Sequence, residues 1–559
     1  MAQRPRIDIE IVLYIAVLLL AFGLRFVNLG GAPLAESETS AALPAYAVAG
    51  GQDADLGPQP GYVLLTSLLF GVFGGSEFLA RLLPAVFGLA LVALPFAWRD
   101  LLGTRVALLL ALFLAIDPGL VATSRMASGH MLAIAAILFA LTAWWRSRPV
   151  LAGVFAALAG LAAPTIYFGL AAALLTALAL QLRPRLRPEV LRPAGMAFAV
   201  TLLFGGTLLF TALPGLGGVP QVLAAFVGGQ AAFPGAGVGS IALALVGYYL
   251  PALIFGGLGA LRAWTAGGAT GRVLSVFTAL SLLVILLNPN RQVADLIWVS
   301  LPLWTLAATE IARYLKHPEG ELPIAIAEAA LILVLAVYLS FSLLNYASEY
   351  QLAGVAGLGL TSIVALSVVG FAGLATLLIG LGWSQRSAMQ GLAWAGALIG
   401  VAFLVSASTR FARIDADSAN DLWLPGPAAG SMNILTATLN DLEFVEQINL
   451  HPLPLELRAG STALQWALRE VPTPAPGDGA PALAITIWTG EVPTEFAGYR
   501  GQSFAISIQR AWDPFPPDFL SWFFLRKGPT QVQMMSLWVR PDLFPGGEVR
   551  SPTGLEPAP

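Results

Sequence analysis

PGYVLLTSLLFGVFG, residues 60–74, is the stretch on which the topology of this chain turns. It is apolar enough to enter a bilayer, yet Pro58 and Pro60 open it, and 15 residues at ~1.5 Å each reach about 22 Å, short of a ~30 Å hydrocarbon core. It therefore either crosses the membrane or lies in the interface and re-enters. Basic residues decide between the two, because short cytoplasmic loops collect Lys and Arg. If 60–74 does not cross, the inner loops hold fifteen basic residues, from Arg4 and Arg6 through the Arg183–Arg192 run to Arg386. The outer boundaries then hold four, Arg25, Arg81, Arg125 and Arg291. A crossing would invert every later loop and turn Arg183–Arg192 outward, so the chain is read as starting inside and ending outside.

Working outward from that stretch, apolar runs predict spans near 9–28, 82–98, 104–119, 127–145, 150–163, 166–182, 194–213, 241–261, 272–288, 293–310, 322–344, 353–382 and 389–409, about thirteen transmembrane helices. A chain of 559 residues that is 57% hydrophobic and 11% charged, with mean hydropathy +0.77, carries more apolar side chains than one soluble core can hide. It reads as an α-helical polytopic protein of the cell membrane. The first run, 11–26, lacks a small-residue cleavage site and is read as a retained helix. With no cysteine, thiol and disulfide chemistry are excluded. A net charge of −3 and dispersed basic residues argue against a nucleic-acid partner.

After Arg410 the apolar density falls and Pro, Asp and Gly rise. Strand-like runs at 483–488, 503–509 and 532–539 interleave with helical patterns at 433–447 and 461–470. Residues 1–409 are thus expected to form the membrane domain and 410–559 a small extracytoplasmic α/β domain, with a Pro-rich loop at 471–481 and a disordered tail after about 545.

Two external loops frame the candidate chemistry. Loop 29–81 carries Glu36 and Glu38, and loop 214–240 is glycine-rich, read either as a flap over a membrane cavity or as loose surface. A carboxylate at the water–lipid boundary can have its pKa raised and take a proton from an acceptor, a role assigned to Glu38 with Glu36 beside it. The plain alternative is that both glutamates are solvated or cap a helix. Arg81, Arg125 and Arg291 each mark the outer end of an apolar run, where a guanidinium suits a lipid phosphate; snorkelling to water or headgroups is the alternative for each. His130 lies five residues after Arg125, about 1.4 helical turns, so the two flank one pocket if the helix starts that early; a structural histidine is the alternative. The other histidines, His317 and His451, lie far along the chain, so no dedicated metal site is assigned.

Read together, LRFVNLGGAPL (24–34), ESETSAALPAYAVAGG (36–51), LPFAWRDLLG (94–103), the Ser124-Arg125 pair and LQWALRE (464–470) resemble the GT-C fold integral-membrane glycosyltransferases, the class of protein mannosyltransferases and aminoarabinose transferase. Within it they resemble most the "flippase activity-associated" membrane protein family, over nearly the whole chain. The class usually has an Asp-Glu pair in the first external loop, where this chain has Ser37-Glu38. A second acidic residue normally follows the Ser-Arg motif by five positions, and here that residue is His130.

The resemblance implies a glycosyltransferase that takes a sugar from a polyprenyl-phosphate donor, inverts the anomeric carbon and passes it to a glycan, lipid or protein acceptor at the outer face. Glu38 and Glu36 are then the catalytic candidates, and Arg81, Arg125, His130 and Arg291 the phosphate- or substrate-binding ones. A divalent cation is the one cofactor left open. The two departures motivate the rival reading, a non-catalytic subunit that binds or helps translocate lipid-linked sugars. A secondary transporter fits less well, since charged residues are scarce in the spans and no inverted repeat appears.

Overall fold

The computed structural model describes residues 9–182, 188–212, 215, 217–229, 235–315, 322–353, 358–412, 419–444, 455–458, 460–471 and 481–544. The tail expected after 545 and nearly all of the Pro-rich loop lie outside these residues.

Helix α1 (Ile9–Phe26) leads into two short helices, α2 (Glu36–Ala49) and α3 (Pro60–Phe73), which pack against each other. Stretch 60–74 is thus a helix of 14 residues, about 21 Å long, begun by a proline at its first position. Helix α4 (Glu77–Ala97) follows, started by Ser76, whose hydroxyl accepts from the Leu79 N–H at 3.3 Å. A single turn α5 (Arg99–Leu102) precedes α6 (Thr104–Ile116) and α7 (Pro118–Ser124), a pair bent by 56°. Asp117 makes that break: it caps α7 through the Leu120 N–H, while Pro118 removes a donor the α6 ladder would need.

Helices α8 (His130–Trp145) and α9 (Pro149–Ala162) form a tight antiparallel hairpin through Ser147, at φ 56°. They are followed by α10 (Ile166–Ala179), α11 (Pro188–Gly206), α12 (Gly218–Gly228), α13 (Val238–Thr265) and α14 (Ala269–Leu287). A 3-10 turn, Val293–Leu296, opens α15 (Ile297–Tyr314). Three long helices, α16 (Leu322–Ala353), α17 (Leu358–Gly382) and α18 (Gln385–Phe411), close the helical body.

Among the described residues seven helices are long and apolar enough to cross a membrane, or eight if the bent α6–α7 pair is one span. The expected count of thirteen is not carried by length and composition. Helices occupy all thirteen predicted positions, but α8, α9 and α10, at 14–16 residues, reach only about 21–24 Å. The span expected at 293–310 begins instead in the buried 3-10 turn. On the membrane-length helices apolar side chains point outward, as at Leu366 and Leu381 of α17, 74% and 79% exposed, the arrangement a lipid solvent favours.

The C-terminal part forms a five-stranded sheet in the order β1-β4-β5-β3-β2: β1 (Ala428–Ala429), β2 (Leu455–Leu457), β3 (Leu483–Ile487), β4 (Arg500–Arg510) and β5 (Thr530–Val539). All neighbours are antiparallel except β2 and β3. Helices α19 (Met432–Phe444) and α20 (Thr462–Ala467) cover it, burying Leu435, Leu439 and Leu464 on Leu483, Phe504 and Met535. Helix α21 (Phe519–Leu525) leaves this core and packs on α16. Its Trp522 stacks edge-on to Tyr248 of α13, and Arg526 lies over both rings at 4.1 and 4.2 Å. The sheet domain is thereby fastened to the helical body.

Candidate active site

Helix α2 carries both glutamates in its first turn, where the helix dipole favours negative charge. Their environments differ completely. Glu38, 2% exposed, accepts four hydrogen bonds. Its Oε1 takes the Arg81 Nε–H and the Ala127 N–H, both at 2.8 Å. Its Oε2 takes Arg81 Nη2–H at 2.7 Å and, as half of a capping box, the Ala35 N–H at 3.0 Å. Burial pushes the Glu38 carboxyl up, but the Arg81 guanidinium and the two backbone donors outweigh it and hold it below the usual carboxylate range. The expected raised pKa at Glu38 is therefore overturned: the side chain is a saturated partner of a buried, bidentate ion pair.

Glu36 faces the other way. Its carboxylate accepts from the Ser461 hydroxyl, the Thr462 N–H at 3.1 Å and the Thr462 hydroxyl at 2.6 Å, so it caps α20 rather than lining a cavity.

The arginines divide similarly. Arg81 gives its remaining N–H groups to the carbonyls of Leu29, Ala32 and Pro33, holding the chain between α1 and α2. Arg125 donates to the carbonyls of Leu24, Arg25, Val27 and Asn28, closing the C-terminal end of α1. Both line a cavity with Asn28, Glu38, Asp421 and Trp423. Arg25 lies apart, fully buried, donating to Leu114 and Ala115 of α6. Arg291 donates to the carbonyls of Leu286 and Asn288, ending α14, and does not line either cavity. The single cluster expected of four arginines is thus a pair.

A second cavity adjoins the first, sharing Met126 and Trp423 as its wall. Ser37, Ser128, His130, Thr165 and Asp295 line it. Three buried polar atoms there, Ser37 Oγ, Ser128 Oγ and Trp423 Nε1, have no hydrogen-bond partner among the described residues. The expectation that His130 and Arg125 share one pocket is corrected: His130 lines this cavity and Arg125 the first. No group of three or more His, Asp or Glu side chains suited to a metal exists among the described residues. The glycine-rich loop contains α12, whose Ala225 and Phe226 line this second cavity. Asn288 and Asn290 tie it down through the carbonyls of Phe226 and Val227.

Loop 125–130 separates the cavities and is held by backbone contacts. Gln59 Oε1 accepts the Gly129 N–H at 2.6 Å, and a Cβ on Gly129 would lie 1.9 Å from the Ala162 carbonyl oxygen. Gly129→Ala is expected to lower stability by about 1–3 kcal/mol through overpacking, read as a drop in the thermal midpoint of the purified protein; an unchanged midpoint contradicts the close approach.

The chain is similar to the crystal structure of ArnT from Cupriavidus metallidurans bound to undecaprenyl phosphate, at 17% identity and a TM-score of 0.47, and to the same protein's apo crystal structure, at 16% and 0.48. Each alignment covers 84% of this chain and 86% of the other. No family model matches the chain, and no curated protein matches it.

Sequence reading passed over Asp295, Asp421 and Trp423. Asp295 is an acid two residues inside an expected span, directly after the polar NPNRQ segment, which was the available signal. Trp423 and Asp421 lie in the linker to the sheet domain, where no periodicity distinguishes them.

Proposed function

We propose that this chain is a membrane glycosyltransferase that moves a sugar from a polyprenyl-phosphate donor to an acceptor hydroxyl at the outer membrane face. The observation that carries this reading is the pair of adjoining cavities, one edged by guanidiniums and the other lined with hydroxyls, meeting at Met126 and Trp423. The donor phosphate sits on the Arg81–Arg125 side, where positive charge steadies the leaving group as the sugar bond breaks. The sugar lies at the shared wall and the acceptor approaches from the hydroxyl-lined side. Glu38 and Glu36 act by position: the first sets Arg81 and loop 125–130, the second docks the sheet domain. Arg291 shapes the loop that meets α12. The outer-face assignment follows the placement of basic residues, and the affinity to the flippase activity-associated family follows the quoted motifs.

The test is purified protein in lipid nanodiscs supplied with radiolabelled polyprenyl-phosphate hexoses and pentoses and a total lipid and glycan extract as acceptor. Release of polyprenyl phosphate coupled to transfer supports the reading. Arg125→Ala is expected to lower kcat/KM for the donor by about tenfold or more, the worth of one charge-assisted contact. Saturable donor binding without release favours the rival, a binding subunit, which the saturated Glu38 and the serine at position 37 motivate.

A further inference from the structure

Asp295 stands in the 3-10 turn ahead of α15, outside the membrane-length helices, 2% exposed and on the wall of the hydroxyl-lined cavity. Its Oδ1 accepts from the Thr165 hydroxyl at 2.6 Å and its Oδ2 from the Gln292 N–H at 2.8 Å. A carboxylate oxygen has two acceptor positions, so one on each oxygen is left over. Glu38 and Asp421 each face an arginine, Arg81 and Arg526. Among the described residues no Lys or Arg side chain lies in ion-pair range of Asp295. A buried carboxylate held by two neutral donors, beside the unpartnered Ser37 and Ser128 hydroxyls and the Trp423 indole N–H, makes a cavity that is complete only with a multiply hydroxylated ligand in it.

We propose that Asp295 is the catalytic base of the transfer reaction and that this cavity holds the acceptor as a polyhydroxy compound, with Ser37, Ser128 and Trp423 binding its other hydroxyls. The assignment rests on the glycosyl-transfer reading above. In the step, the acceptor oxygen bonds to the anomeric carbon while the bond from that carbon to the phosphate oxygen breaks. That electron pair leaves on the polyprenyl phosphate, and the acceptor's proton passes to the Asp295 carboxylate.

Burial pushes the Asp295 carboxyl up to about 6, with the Thr165 and Gln292 hydrogen bonds limiting the rise. A base so placed is ionised at neutral pH and still accepts a proton effectively. Of the ionisable groups near this turn, Tyr249 of α13 and Asp117 beside α7 bond to each other, and Asp117 also accepts from Trp304 of α15. Arg291 donates to carbonyls of its own helix end, and Glu310 of α15 pairs with Arg262 and Arg313. His130 shares the cavity.

The test compares wild type, Asp295→Asn, Thr165→Val and His130→Gln in the nanodisc assay, with donor binding and thermal midpoint measured in parallel. Asp295→Asn is expected to lower kcat by about 10²–10³-fold with donor affinity and midpoint retained, and to lose the rise in rate near pH 6 that His130→Gln keeps. Thr165→Val, which removes a donor to the carboxylate, is expected to move that rise to higher pH. Turnover of Asp295→Asn within threefold of wild type, or a pH profile untouched by Thr165→Val, overturns the assignment while leaving glycosyl transfer in place. Wild type that releases no product from any donor overturns the transfer reading, and the base with it.

Discussion

Arg81→Ala is expected to destabilise the protein by about 3–5 kcal/mol, because it strands the Glu38 carboxylate in a site 2% exposed with no cation beside it. The loss reaches further than the pair. Arg81 also holds the carbonyls of Leu29, Ala32 and Pro33, and Glu38 anchors the Ala127 N–H, so the segment before α2 and the loop between the cavities loosen together. Glu38→Gln is expected to act in the same direction by leaving the guanidinium unbalanced. The double variant Glu38→Met/Arg81→Leu recovers only part of the stability: it removes the stranded charge but leaves the Ala35 and Ala127 N–H groups and the carbonyls of Leu29, Ala32 and Pro33 without their partners, and it does not recover donor affinity. Thermal midpoints and donor titrations of the four proteins separate these effects; a single variant that melts with wild type contradicts the buried pair.

The pair also carries a pH signature. Glu38 titrates in the folded protein below its ordinary value of 4.5, so its contribution to stability is fully present above that value. It is lost as pH falls through the lower folded value. The wild-type midpoint is expected to drop on acidification below about pH 4.5, and Glu38→Gln to lack that component.

Trp466→Ala is expected to be comparably damaging, at about 3–5 kcal/mol for a buried tryptophan, and to undock the sheet domain from helix α2, which carries Ser37 and Glu38. Trp466 is 2% exposed, packs on Tyr46 and Phe70, and donates its indole N–H to Glu77 at 3.0 Å. Arg469 stacks on the same ring and donates to the Gly75 carbonyl. Beside it, Thr39 and Thr462 share a hydrogen bond at 2.7 Å and Glu36 caps α20. Hydrogen exchange of 36–49 measures the outcome: faster exchange there while the sheet strands stay protected is the expected pattern, and unchanged exchange removes α20 as the support of α2.

Much of this was legible in the sequence because charge at the end of an apolar run is costly, and cost localises function or fastening. That logic singled out Glu38, Arg81 and Arg125, which share a cavity. It did not distinguish ligand from fastening at Arg25 and Arg291. A helix end in an apolar setting leaves carbonyls that a nearby guanidinium satisfies, and only coordinates show which carbonyls those are. Hydropathy hid Asp295 for a related reason, since an apolar window averages over a single acid. Apolar helices were located by the same averaging, but which of them are long enough to cross was not, because composition reports apolarity without reporting where a helix breaks, as it does at Asp117.

The linker residue Trp423 has a bearing on how such a chain can be recombined. Its indole forms part of both cavities and packs on Tyr248 and Tyr249 deep in the helical bundle, although it belongs to the segment that leads to the C-terminal sheet. Grafting a foreign module after residue 410 would therefore remove part of the wall of both cavities along with the appendage. Chimeras that retain 419–425 from this chain keep that partition intact, which makes the junction downstream of Pro425 the natural seam for domain exchange.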